Sequence, residues 1–204
     1  MSTPSKLIFL PGGGGNASFW EPVSKQLKHP ALQTLLGWPG FGSVAADPLI
    51  NGIDDLVAKL ASEIKEPTAL IAQSMGGVIA MQVALMRPDL ITHLILTVTS
   101  GGIDISDLHT EDWRPAFLKT RPLFPRWFVE YKSDLSAQLG TINVPVLLIW
   151  GDADPISPVA VGERLRDLLP RARLHVFPGG THELANTFAS SVVPLIDEHL
   201  SLAI

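Results

Sequence analysis

Four short runs of this chain are apolar from end to end: Leu7-Ile8-Phe9-Leu10, Ala69-Leu70-Ile71-Ala72, Leu94-Ile95-Leu96 and Val146-Leu147-Leu148-Ile149-Trp150. A strand with one wet face alternates apolar and polar residues, because successive side chains point to opposite faces. These runs do not alternate, so both faces of each must be covered. Segments with helical patterns separate them. Ile53, Leu56, Val57, Leu60 and Ile64 recur at helical spacing and predict an amphipathic helix over about 52–65. Other helices are expected over about 19–27, with Pro22 in the first turn, over about 158–169 and over about 183–201. Leu32–Leu36 and Leu174–Phe177 supply two more strands. Strand and helix in alternation predict an α/β fold, a six-stranded and mostly parallel sheet with helices on both faces.

A chain of 204 residues suits a single domain over 1–204. It is 46% hydrophobic and 17% charged, so it can fill a sizeable core. A net charge of −5 and the lack of a basic patch argue against nucleic acid as a partner. The absence of cysteine excludes disulfides, zinc–thiolate sites and a cysteine nucleophile. Met1-Ser2-Thr3-Pro4-Ser5-Lys6 leads into the first strand without an apolar leader, and no apolar run approaches the length of a membrane span. The expectation is a cytoplasmic protein with no membrane association.

The stretch richest in chemistry is Thr68-Ala69-Leu70-Ile71-Ala72-Gln73-Ser74-Met75-Gly76-Gly77. It reads as a strand, a serine in a tight turn, and a helix that Pro88 stops. Such a turn strains the serine backbone and brings its neighbours at minus two and plus two close together. Both must then be small, as Ala72 and Gly76 are. The turn lifts the Ser74 hydroxyl above the sheet and sets it at a helix N-terminus, where the free Met75 N–H can stabilise a developing anion.

In these residues the chain resembles the α/β-hydrolase superfamily and its nucleophile elbow, which usually has glycine where this chain has Ala72. The resemblance implies a sheet without the superfamily's first two strands, in the spatial order second, first, third, fourth, fifth, sixth. It also implies a cap insertion, and residues at about 101–140 fall where it belongs. They carry Trp113, Phe117, Phe124, Trp127, Phe128 and Tyr131, with Pro115, Pro122 and Pro125, and show no strand pattern. Two or three short helices are expected there. Most of the aromatics should anchor this lid and one or two should line the pocket beneath it.

A serine nucleophile needs a general base, and the base needs an orienting acid. The resemblance places the acid in Trp150-Gly151-Asp152-Ala153-Asp154-Pro155, three residues after the glycine, at Asp154. Asp152 is the alternative, and its bland reading is a hydrogen bond to loop backbone. In Pro178-Gly179-Gly180-Thr181-His182 the glycine pair allows a turn that swings an imidazole back over the sheet, which matches the family's histidine loop and makes His182 the base. His29, His93, His109, His175 and His199 read as surface or packing residues. The oxyanion donors implied are the backbone N–H groups of Met75 and Gly13. The Gly13 loop often begins with histidine in the family but begins with Pro11 here. Neither a phosphate-cradle lysine nor a dinucleotide acid accompanies Gly12–Gly15, so no cofactor is expected, and no metal site is implied.

The expected function is a serine hydrolase that cleaves a carboxylic ester or thioester through an acyl-enzyme on Ser74. The expected partner is a small-molecule acyl substrate, with monomer or homodimer left open. Asn16 and Trp20, after the glycine loop, resemble small esterases of cofactor biosynthesis and their lyase relatives. A C–C bond hydrolase or lyase with the same triad therefore stands as the alternative, and a non-catalytic binding protein as a third reading. The bare Gly13 suggests an open entrance.

Overall fold

The computed structural model describes residues 3–121 and 124–203; Met1 and Ser2 of the leading segment, Pro122 of the expected cap, Leu123 and Ile204 lie outside them. The chain runs β1 (Lys6–Leu10), a 3₁₀ turn (Ala17–Trp20), α1 (Glu21–Ser24), β2 (Leu32–Leu35), α2 (Ile53–Glu63), β3 (Thr68–Gln73), α3 (Met75–Met86) and β4 (Ile91–Thr97). It continues through α4 (Arg114–Thr120), α5 (Arg126–Glu130), α6 (Ser136–Leu139), β5 (Val146–Gly151), α7 (Val159–Leu168), β6 (Ala172–Phe177), α8 (Leu184–Thr187) and α9 (Ala189–Leu200).

The sheet has six strands in the order β2-β1-β3-β4-β5-β6, as expected. Every described pairing is parallel. The apolar runs are its middle: every residue of β3, β4 and β5 is buried, whereas the edge strands β2 and β6 are mostly half-exposed. A parallel pair cannot be joined by a hairpin, so each connection crosses over a face, and all strands end on one side. That side carries Ser74 after β3, the Asp154 bend after β5 and the His182 loop after β6. The insert between β4 and β5, here called the cap, holds α4, α5 and α6, three short helices.

Two helices differ from the spacing-based expectation. The first stops at Ser24 and continues to Leu27 only as a hydrogen-bonded turn, after which Asp197 of α9 takes the Lys28 and His29 N–H groups at 3.1–3.2 Å. The last divides at Phe188. There Asn186 donates to Phe19 O at 2.7 Å, and the Phe188 ring packs on Phe177 with centroids 5.9 Å apart.

His93 of β4 and His199 of α9 are fully buried, as packing residues. Their rings meet edge to face with centroids 5.4 Å apart. His93 Nε2 donates to Leu202 O at 3.1 Å and His199 Nε2 donates to Pro145 O at 3.2 Å, since a carbonyl can only accept. Both Nδ1 atoms are buried and lack a partner among the described residues. Burial pushes both imidazoles below their ordinary range, His199 to about 4, with the charges of His93 and Arg173 adding to the effect on His199. In the folded chain His199 therefore takes its proton only near pH 4, whereas in the unfolded chain an imidazole takes one below about pH 6.5. Denaturant unfolding is therefore expected to show full stability above that pH and a loss as pH falls toward 4. The His199 contribution is about 3 kcal/mol, and His199→Leu should flatten that slope.

Candidate active site

Ser74 ends β3 and begins α3 with φ 51° and ψ −117°, a left-handed backbone that is uncommon for any residue but glycine. Its surroundings hold it there. Ser74 N–H donates to Thr97 O at 3.0 Å, and Ser74 O accepts from Gly77 N–H at 2.9 Å and Thr99 Oγ1 at 2.6 Å. The need for a small residue at Gly76 comes from β1: a Cβ there would lie 2.6 Å from Leu10 O and 2.7 Å from Pro11 O. Gly77 is small for another reason, because a Cβ there would strike the Thr99 side chain at 2.5 Å.

The two loops expected to meet Ser74 do so. His182 Nε2 lies 3.0 Å from Ser74 Oγ, and His182 Nδ1 lies 2.7 Å from Asp154 Oδ2. A carboxylate accepts only, so Nδ1 carries the hydrogen and Nε2 presents its lone pair to the serine hydroxyl. Asp154 is buried, and its other oxygen, Oδ1, accepts from Ile156 N–H at 2.9 Å and Ser157 N–H at 3.2 Å. Asp152 is exposed and turned away, accepting from Gly179 N–H at 2.7 Å, the loop role that was its alternative. Gly151 and Gly180 let the acid and histidine loops cross, since a Cβ on Gly151 would overlap the Gly180 backbone. Ala153 N–H seals the crossing by donating to Gly180 O at 3.0 Å.

Three residues around Ser74, His182 and Asp154 escape a sequence reading. Gln73, buried just before Ser74, donates through Nε2 to His182 O at 3.2 Å and so fixes the imidazole loop to the serine strand. Thr99 braces the Ser74 carbonyl. Trp38 Nε1 donates to Pro11 O at 3.0 Å and Gly12 O at 3.2 Å, inside the glycine loop. None of these belongs to a catalytic residue pattern; only the adjacency of Gln73 to Ser74 was a signal. Gly13 N–H and Met75 N–H have no acceptor among the described residues.

Two cavities open on Ser74 and His182, one of about 900 Å³ and one of about 560 Å³. Met75, Val78, Val98 and Ile103 line the larger; Gly12–Asn16 and Phe19 line the smaller. Trp113 and Phe128 of the cap line both. Trp113, Phe117, Phe128 and Tyr131 thus reach the cavities, more aromatics than the one or two expected. The lack of a side chain at Gly13 does not leave a gap there. The Phe128 ring fills the place a Gly13 Cβ would take.

A strand-end serine, an imidazole and a buried carboxylate in hydrogen-bonded series on a parallel sheet define an α/β-hydrolase arrangement. Comparison with known proteins agrees. Residues 7–129 match the alpha/beta hydrolase family and residues 130–185 match the alpha/beta hydrolase fold, and the chain belongs to that family of hydrolytic enzymes. It is 24% identical over 237 aligned positions to a pimeloyl-[acyl-carrier protein] methyl ester esterase of Nitrosomonas europaea, covering 94% of each chain. It is 30% identical to the protein of that name from Aliivibrio salmonicida, covering 87% of this chain and 85% of the relative. Among solved structures, a thermophilic esterase from Thermogutta terrifontis shares the fold at TM-score 0.78 and 18% identity, over 97% of this chain and 90% of its own. A meta-cleavage product hydrolase from Pseudomonas fluorescens does so at TM-score 0.75 and 19% identity, over 95% and 89%.

Gly76 and Gly14 test the packing behind the serine turn. Gly76→Ala should lower stability in denaturant unfolding by about 1–3 kcal/mol, because the new methyl meets backbone that cannot rotate away. Gly14→Ala, where a Cβ meets nothing within 4 Å, should leave stability close to the parent.

Proposed function

We propose that the chain is a serine hydrolase of carboxylic esters that works through an acyl-enzyme on Ser74. One observation carries this reading: the continuous series from Ser74 Oγ to His182 Nε2 at 3.0 Å and from His182 Nδ1 to Asp154 Oδ2 at 2.7 Å. In this reading Ser74 Oγ attacks the acyl carbon while its proton passes to His182 Nε2. Asp154 holds the imidazole in the tautomer that leaves Nε2 free, and it stabilises the imidazolium that forms. The oxyanion takes hydrogen bonds from Gly13 and Met75 N–H, neither of which has an acceptor among the described residues. The same proton then goes from His182 to the departing alkoxide. Water, deprotonated by His182, attacks the acyl-enzyme and releases the acid, restoring Ser74.

The two cavities meeting at Ser74 give room for both halves of an ester, one on each side of the reacting carbon. The relatives named methyl ester esterases favour an oxygen ester over a thioester or a C–C bond. Asp154 is proposed as the acid because it, and not Asp152, reaches the imidazole.

Turnover of p-nitrophenyl butyrate and labelling by a fluorophosphonate probe test this. Ser74→Ala should abolish the labelling and lower kcat by roughly 10⁴-fold or more. Asp154→Asn should cost roughly 10³–10⁴-fold in kcat, through the wrong imidazole tautomer. Asp152→Asn should lose far less. Full activity in Ser74→Ala would reject the acyl-enzyme. A parent that hydrolyses no ester but cleaves a vinylogous diketone would move the assignment to C–C bond hydrolysis.

A further inference from the structure

We propose that Trp38 is a positioning residue that aims the Gly13 N–H at the oxyanion, a role that rests on the Ser74 acyl-enzyme reading. The peptide linking Gly12 to Gly13 is one planar unit, with its C=O and N–H pointing in opposite directions. Its oxygen is Gly12 O, and its hydrogen is the proposed oxyanion donor. Whatever grips Gly12 O therefore sets the direction of Gly13 N–H. Two donors grip it: Trp38 Nε1 at 3.2 Å and Gly15 N–H at 3.0 Å. The Trp38 N–H also reaches Pro11 O at 3.0 Å, so it spans two consecutive carbonyls of the loop. Trp38 is 3% exposed, which leaves water little access to compete for either carbonyl.

The loop needs such a grip. Glycines flank this peptide on both sides, so no side chain opposes rotation of its plane. Nor can a side chain be added: a Cβ on Gly12 would collide with Gln73 Oε1 and one on Gly13 with the Phe128 ring. With no side chain available inside the loop, the orienting group comes from outside, across 26 residues. Hydrogen bonding to the carbonyl end of a peptide also polarises its N–H, which strengthens the donor. Preorganised donors of this kind contribute to the transition state and little to the ground state, so the loss belongs in kcat.

Trp20 offers an internal comparison. Its Nε1 donates to Leu10 O at 2.9 Å, in the same segment, and it too is buried. That carbonyl belongs to the peptide bond preceding Pro11, which has no N–H to aim. Trp20→Phe and Trp38→Phe both delete one buried indole N–H and keep an aromatic ring, but only the second touches the oxyanion peptide.

The experiment measures p-nitrophenyl butyrate kinetics for the parent, W38F and W20F, with folding checked by circular dichroism. It adds inhibition by 1,1,1-trifluoroheptan-2-one, to which Ser74 Oγ adds as its proton passes to His182, leaving an oxyanion. In W38F, kcat should fall roughly tenfold to a hundredfold, KM should stay near the parent value, and trifluoroketone affinity should fall in parallel. W20F should keep a kcat near the parent. Equal losses in W38F and W20F, an unchanged kcat in W38F, or a loss confined to KM would each overturn the role. If W38F does not fold, benzothienylalanine at position 38, which replaces the N–H by sulfur at equal size, takes its place with the same expected outcomes. A parent without Ser74-dependent turnover would instead reject the acyl-enzyme reading, a result that these variants do not produce.

Discussion

The Ser74 backbone is strained, and much of the local structure exists to keep it so. A left-handed φ costs a non-glycine residue of order 1–3 kcal/mol unless its neighbours impose it. Here three hydrogen bonds fix the flanking peptides, and α3 is pressed so closely on the end of β1 that only glycine fits at position 76. A second strained residue stands beside the first. Val98, β-branched and buried at the end of β4, has φ 42°. That turn delivers Thr99 to the Ser74 carbonyl and against Gly77. Two adjacent strands thus end in unfavourable conformations, linked through the hydroxyl of Thr99.

The same economy governs Asp154 and His182. Both loops must bend back over the sheet from neighbouring strands, and their backbones would collide if either carried side chains at the crossing. Gly151 and Gly180 remove the obstacle, and the hydrogen bond from Ala153 to Gly180 turns the close approach into a fixed distance. Asp152 secures the outer edge of the histidine loop through Gly179, and Asp154 secures the imidazole. The two carboxylates are two residues apart, yet one is solvated and one is buried. Their roles follow from which side of the bend each faces.

The fold was legible because its information is local. Unbroken apolar runs report strands covered on both faces, and Ser74-Met75-Gly76-Gly77 or Gly179-Gly180-Thr181-His182 reports a backbone conformation that few sequences permit. What was not legible is carried by contacts between distant residues. Nothing in the pattern around Trp38 says that its indole will reach Pro11 and Gly12, and nothing in Asp197 says that it will take the Lys28 and His29 N–H groups. The empty space at Gly13 pointed to an open entrance, but a glycine reports only that space is needed. In the folded chain Phe128 is what needs it. The break at Phe188 escaped for the same reason, since its cause is packing on Phe177 and a bond to Phe19.

Trp38 and Phe41 share the connection between β2 and α2, and they hold opposite sides of the site. Phe41 is fully buried and lies at the centre of the cap aromatics, with ring centroids 4.8 Å from Phe124, 5.4 Å from Trp127 and 5.7 Å from Phe128. Gly15 is bare beneath it, because a Cβ there would meet the Phe41 side chain. The cap therefore rests on the same loop that grips the glycine carbonyls. Aromatic pairs of this kind are each worth about 0.5–1.5 kcal/mol beyond the area they bury, so several together tie the cap to Phe41. Phe128 completes the circuit by packing on Gly13 from above. The peptide that carries the Gly13 N–H is thus confined by an indole on its oxygen and a phenyl ring on its α-carbon. That confinement restricts a run of four glycines, the most flexible sequence available to a loop.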